Sequence, residues 1–235
     1  MLFQFKQFTV DQSNCAMKIN TDGVLLGAFV EKEQPESMLD IGTGTGVIAL
    51  MLAQKFAEAQ IDAVELDEAA ARTAGRNFED SPFKSKPQVY SGSFQQYFDE
   101  YPEKKYDLIV SNPPFYINSL GASTKQVNLA KHADQTFFND LISYVARHLN
   151  PEGECWLILP LVTAGLVLEL ANQNGLHLQK TIGIHSFADS EPHRQIIILS
   201  PSQTKKADEQ FVIYEDIKVY SQEYRERLRG FFTIF

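Results

Sequence analysis

Short apolar runs alternate along this chain with longer stretches in which apolar residues recur at helical spacing. The runs at 38–41, 61–66, 88–90, 108–111 and 155–159 predict strands, since a strand covered on both faces needs no polar alternation. Between them, 47–56 predicts a helix apolar on nearly every side, and 68–78 a helix rich in Ala and charge that packs on the sheet. Phe137, Leu141, Val145 and Leu149 recur at helical spacing and predict a helix ended by Asn150-Pro151-Glu152-Gly153. A further helix is expected at 162–172, a closing strand pair at 181–184 and 195–199, an edge strand at 211–214 and a charged helical turn at 221–230. At the start, 3–10 alternates weakly and 15–19 is a second extended candidate, which predicts a hairpin lying over the rest. A helix should follow at 23–30, with Thr21 as N-cap and Asp22 in the first turn. Strand and helix alternate throughout, so the expected class is α/β, a mainly parallel sheet with helices on both faces.

Composition narrows this frame. With 235 residues, 44% of them hydrophobic and 22% charged, the chain fits one domain in which the first twenty residues form an extension. It has no apolar run long enough for a membrane span, and its first residues lack a signal-peptide pattern, so a cytoplasmic place is expected. Cys15 and Cys155 have no Cys or His nearby at ligand spacing; buried reduced thiols are expected, and no metal. A net charge of −9 excludes a protein that coats nucleic acid indiscriminately, while leaving room for a local basic patch that holds a structured RNA.

Two strand ends carry candidate chemistry. At the first, Asp40-Ile41-Gly42-Thr43-Gly44-Thr45-Gly46 forms a glycine-rich strand-to-helix turn, which lets the backbone approach a ligand and points free N–H groups at negative charge. A dinucleotide fingerprint needs glycine at the sixth place, where this chain has Val47. Asp40, two places before the first glycine, can instead accept from a cationic amino group, and the loop then fits the amino-acid portion of S-adenosylmethionine. The next strand ends in Glu65-Leu66-Asp67. Glu65 is the candidate for the ribose hydroxyls and Leu66 for packing on the adenine; Asp67 is the rival, with helix capping as its other reading. In the loop after the third strand, Ser93 is a candidate for the adenine edge.

The second strand end is Asn112-Pro113-Pro114-Phe115, closing the apolar run at 108–111. Neither proline can continue a ladder, so the chain leaves the strand as a stiff extended loop. The Asn112 side-chain oxygen and the Pro113 carbonyl can both accept from one planar amino group while Phe115 stacks on the ring bearing it. The site residues so named need no His, Asp or Glu as general base.

Asp40 to Gly46, Glu65 and Asn112 to Phe115 together resemble the class I S-adenosylmethionine-dependent methyltransferases that act on planar amino nitrogens. Phe5-Lys6-Gln7-Phe8, the stretch from Cys15 through Asn20-Thr21-Asp22-Gly23 to Ala28, Ala130-Lys131-His132 and Phe211-Val212-Ile213-Tyr214 resemble the bacterial tRNA1(Val) (adenine-37-N6)-methyltransferase family. That resemblance implies a Rossmann-like, seven-stranded sheet with its last strand antiparallel. It implies S-adenosylmethionine as cofactor, with Thr21, Asp22 and Thr43 joining the cofactor residues, and tRNA, through its anticodon stem-loop, as partner. The same chemistry on guanine N2 of ribosomal RNA or on a release-factor glutamine is the alternative. Where such enzymes often carry an Asp for the cofactor adenine, this chain has Ser93. Lys125, Lys131 and His132, just after the reaction loop, are the candidates for holding RNA; Lys6, Lys18, Arg225, Arg227 and Arg229 are weaker ones. A monomer is expected.

Overall fold

The structure, a computed structural model, describes residues 1–13, 18–114 and 124–235, with the side chains of 124–134 outside that description. In chain order the strands and helices are β1 (Leu2–Gln4), β2 (Thr9–Asp11), α1 (Thr21–Phe29), β3 (Ser37–Ile41), α2 (Val47–Lys55), β4 (Gln60–Glu65), α3 (Glu68–Asp80) and β5 (Gln88–Ser91). They continue with α4 (Phe94–Glu100), β6 (Tyr106–Ser111), α5 (Thr124–His148), β7 (Leu149–Leu159), α6 (Leu161–Gln173), β8 (His177–His185) and β9 (Pro192–Ser200). Last come β10 (Ala207–Val212), β11 (Tyr214–Asp216), β12 (Val219–Tyr220) and α7 (Gln222–Leu228).

The central sheet has the order β10-β8-β9-β7-β6-β3-β4-β5. β3 lies between β4 and β6, parallel to both, and β9 runs antiparallel to β7 and β8. Side chains alternate across the sheet and divide the core into two layers. Met38, Leu108, Val110 and Trp156 face the layer built by the N-terminal hairpin, α1, α2 and α7, whereas Leu39, Ile41, Ile109 and Leu157 face that built by α4, α5 and α6. Apolar residues on nearly every side of α2 follow from this: all of Val47 to Ala53 is buried.

Four expectations change. The sheet has eight strands rather than seven, because 207–212 pairs in parallel with β8 at the edge, a little upstream of the expected segment. A hairpin forms inside 2–11, with Lys6 and Gln7 in the turn and the Phe5 and Phe8 rings stacked at 4.5 Å; most of the second candidate strand, 15–19, lies outside the described residues. Residues 14–17, which hold Cys15, lie outside the described residues. Asn20, not Thr21, caps α1, its side chain accepting from the Gly23 N–H at 2.9 Å. The helix predicted around Phe137 begins at Thr124, and its last periodic residue, Leu149, is buried at the start of β7 instead. Cys155 is a buried free thiol, and burial pushes its pKa up. Among the described residues no helix is long and apolar enough to cross a membrane.

Candidate active site

β3, β4 and β6 end side by side at the same rim of the sheet, where an open α/β fold places its ligands. The loop after β3 is shaped by glycines in the left-handed region, with φ of 75° at Gly42, 58° at Gly44 and 87° at Gly46. They do different work. A Cβ at Gly42 or Gly44 would meet no heavy atom within 4 Å, so those two face open space; at Gly46 it would collide with the Phe78 ring. Gly42 and Gly44 therefore form a cradle a side chain would fill, and Gly46 lets the loop close onto α3.

Neighbouring strand ends lock this cradle. Val64 O accepts from Gly42 N at 2.8 Å and Thr43 N at 3.1 Å, and Glu65 Oε2 accepts from Gly44 N at 2.8 Å. Glu65 Oε1 accepts from Asp67 N at 2.8 Å. A carboxylate has further lone pairs, so Glu65 can still accept from hydroxyls beside the cradle. Asp67 takes its other reading: its side chain caps α3, accepting from Ala70 N at 2.7 Å. Leu66 is 74% exposed, a free apolar face beside Glu65.

Asp40 does not stand open in the cleft as its place in the motif suggests. It is fully buried beneath the loop, where Thr43 Oγ1 donates to Oδ2 at 2.6 Å. Burial pushes its pKa up to about 7, against the hydrogen bonds from Thr43 and the Ala49 N–H, and the charge of Glu65 adds to the rise. Its Oδ1 is buried without a hydrogen-bond partner. Such an atom calls for a donor, and a cationic one best. An open cradle and an orphaned carboxylate oxygen together suit an amino-acid-bearing cofactor.

Ser93 is likewise occupied. Its hydroxyl accepts from Gln96 N at 3.1 Å and its own N–H donates to Gln96 Oε1 at 3.0 Å, a capping box that starts α4. Thr21 is exposed in the first turn of α1, and Asp22 is paired with Arg194 of β9 at 2.8 Å.

The acceptor motif leaves β6 next door. Ser111, buried, donates through Oγ to Ile41 O at 2.7 Å and so ties the end of β6 to the start of the glycine loop. Asn112 follows, half-buried, and its Nδ2 donates to Asn20 Oδ1 at 3.4 Å. Pro113 is buried and Pro114 half-buried; Phe115 lies outside the described residues.

A family model for the methyltransferase small domain matches residues 15–163. The tRNA1(Val) (adenine(37)-N6)-methyltransferase of Pedobacter heparinus is 44% identical, over 99% of this chain and 98% of its own. The chain belongs to this methyltransferase family. A protein of the same description from Flavobacterium psychrophilum is 39% identical over 98% of this chain and 99% of its own. Among solved structures, a predicted O-methyltransferase from Agrobacterium tumefaciens shares the fold at a TM-score of 0.70, with 15% identity over 89% of this chain and 96% of that one. A methyltransferase from Pyrococcus furiosus does so at 0.56, with 22% identity over 82% and 91%.

Three residues of this methyltransferase carry no signal in the sequence pattern that marks them for the site. Asn77 of α3, buried, holds the hairpin to the glycine loop: its Nδ2 donates to Asp11 O at 3.0 Å and Thr45 O at 2.8 Å, and its Oδ1 accepts from Asp11 N at 2.9 Å. Gln12, also buried, accepts from Ile19 N at 2.8 Å and thereby sets the entry to α1. Asn20 then reaches Asn112. None has a periodic signature, although an Asn before Thr-Asp is a readable N-cap. Of the basic candidates, Lys6 donates to Arg229 O and Phe235 O at 2.6 and 2.7 Å, Arg225 pairs with Glu215, and Arg227 pairs with Glu31 over the Phe29 ring. All three are engaged within the chain. Lys125, Lys131 and His132 lie on α5 with side chains outside the described residues.

Proposed function

We propose that the protein methylates the exocyclic N6 of an adenine in tRNA, adenine 37 of tRNA1(Val), with S-adenosylmethionine as donor. The observation that carries this is the placement of an open glycine cradle and the Asn112 amide on adjacent strand ends, joined through Ser111 and Ile41. The name shared by near-full-length relatives supports the adenine and the tRNA.

Gly42, Thr43, Gly44 and Gly46 shape the donor site, Glu65 accepts from the ribose hydroxyls and Leu66 covers the adenine. Asp40, beneath them, offers its unpartnered oxygen to a cationic group drawn into the loop. When bound, S-adenosylmethionine supplies a methyl group already activated on sulfur. An exocyclic adenine nitrogen is a weak nucleophile because its lone pair is shared with the ring. Accepting from both of its N–H bonds, through Asn112 Oδ1 and the Pro113 carbonyl, favours a pyramidal nitrogen and offsets the positive charge that grows there. Phe115 is assigned to stacking on the base. No strong base is needed; alignment does the work. An anticodon-loop adenine is less costly to extrude than one in a duplex. Lys125, Lys131 and His132 follow the motif directly and are assigned to the RNA, in the cytoplasm where tRNA is modified.

The test is incubation with radiolabelled donor and, separately, tRNA, ribosomal RNA and release factor. Label recovered as N6-methyladenosine in tRNA is expected. Label confined to ribosomal RNA or to protein overturns the reading.

A further inference from the structure

We propose that Asn20 is a positioning residue that turns the Asn112 amide so its oxygen, not its nitrogen, meets the substrate amino group. This rests on the reading of Asn112 as the acceptor. The orientation of a side-chain amide is decided by its partners, because its two ends have nearly the same shape and opposite hydrogen-bonding character. For Asn20 that decision is unambiguous. Its side chain caps α1, and the atom that meets the Gly23 N–H at 2.9 Å must be the oxygen, since a backbone N–H can only donate. The same oxygen stands 3.4 Å from the Asn112 amide. Two amide oxygens would repel at that distance, so Asn112 must present its NH2 group to Asn20. Its own oxygen is then directed away from α1.

A second set of contacts fixes Asn20 itself. Gln12, 6% exposed, accepts from the N–H of Ile19, the residue just before the cap, at 2.8 Å. Asn20 is extended at φ −128° and ψ 167°, the usual backbone for an N-cap. Gly23 lies against both amides: a Cβ there would be 3.5 Å from Asn20 Oδ1 and 3.6 Å from Asn112 Nδ2. The hairpin, Gln12, Asn20 and Asn112 thus form one chain of contacts from the N-terminus to the reaction motif. Without Asn20 the Asn112 amide can flip and set a donor against the N–H bonds of the substrate, which removes an interaction needed in the transition state while leaving the cofactor site untouched.

Three variants of the full chain test this. Asn20→Ser keeps an N-cap acceptor for Gly23 but is too short to reach Asn112; Asn20→Asp keeps an acceptor for both. Methyl transfer to tRNA should fall about tenfold or more in kcat for Asn20→Ser, with donor Kd and Tm near those of the parent, whereas Asn20→Asp should stay within about threefold. Asn20→Ser with parental kcat overturns the proposal, as does Asn20→Asp falling equally far, or a kcat loss that only tracks weakened donor binding or a collapse in Tm. Asn112→Ala in the same series separates the layers. Transfer surviving in Asn112→Ala removes the acceptor reading and the proposal with it; loss there beside an unaffected Asn20→Ser removes only the positioning role.

Discussion

The glycine loop and the acceptor motif leave neighbouring strands of one sheet, yet they are held in different ways. The glycine loop is held from several elements at once: Val64 O and Glu65 from the adjacent strand, Phe78 and Asn77 from α3, Ser111 of β6 at its start, and Asp40 from beneath. Among the described residues, Asn112 takes its side-chain contact from Asn20, 92 positions away in the sequence, and its backbone is set by the two prolines and by Ser111 before it. The donor side is thus secured several times over, and the acceptor side by a short series of contacts. Losing one side chain should therefore act gradually at the donor loop and abruptly at Asn112.

The sharpest way to break that contrast is Asn112→Ala. In the proposed mechanism it removes a preorganised acceptor used in the transition state, so kcat for tRNA methylation should fall by at least about a hundredfold, while donor Kd measured by calorimetry stays near the parent value. A parallel loss of donor affinity would mean the two loops are not separable. Next in size is Gly46→Ala. A methyl there would sit 2.9 Å from Phe78 Cζ, in a backbone conformation with φ of 87°. The cost should be about 2–3 kcal/mol of stability, read by denaturant unfolding. Gly44→Ala has open space around it but a φ of 58°, so it should lose only about 1 kcal/mol of stability, less than Gly46→Ala, and lose donor affinity as well. Equal destabilisation by both would erase the distinction between a packing glycine and a cradle glycine.

This distinction also separates what is legible in the sequence from what is not. Glycines at 42, 44 and 46 between an apolar run and an apolar helix can be read directly, because few other residues tolerate such a turn. Two prolines after an apolar run announce the end of β6 just as plainly. Asn20 and Asn77 reach partners 92 and 32 positions away in the sequence and Gln12 one 7 away, all through polar side chains, and neither spacing nor composition records which groups they will meet. The hairpin departs from its expected place for a related reason: its turn is decided by the packing of Phe5 on Phe8, not by turn residues. The acidity of Asp40 is plain from its residue type, but its burial depends on how α2 and Thr43 close over it. Ser93 is different, since Ser93-Phe94-Gln95-Gln96 is a capping-box pattern readable from residue types and spacing alone.

Asp40 offers a pH-dependent test of the donor side. Its folded pKa of about 7 stands above the reference of 3.8, so burial favours the neutral acid. Stability from this group is full below the reference value and is lost as pH rises through 7. Asp40→Asn carries no such charge and should be the more thermostable protein at pH 8, by on the order of 1–2 kcal/mol, with the gap closing towards pH 4. Thermal unfolding of the two proteins without donor, at both pH values, measures it. Parallel curves would show that Thr43 and the Ala49 N–H keep the carboxylate ionised despite its burial.

The smallest effect belongs to Ser93→Ala. If the hydroxyl serves α4, its loss should cost about 1 kcal/mol of stability and leave donor Kd unchanged, because the Gln96 N–H loses its acceptor while the cradle is untouched. If it instead holds the cofactor adenine, donor Kd should rise severalfold with stability nearly intact. Ser93→Asp sharpens the choice, since Asp is an equally good N-cap and also restores the carboxylate expected from the resemblance. Tighter donor binding in Ser93→Asp at unchanged stability would show that the third strand end reaches the adenine after all. Unchanged binding would leave Glu65 and Leu66 as the side chains that grip the nucleoside, and would make the donor site still more dependent on the loop between β3 and α2.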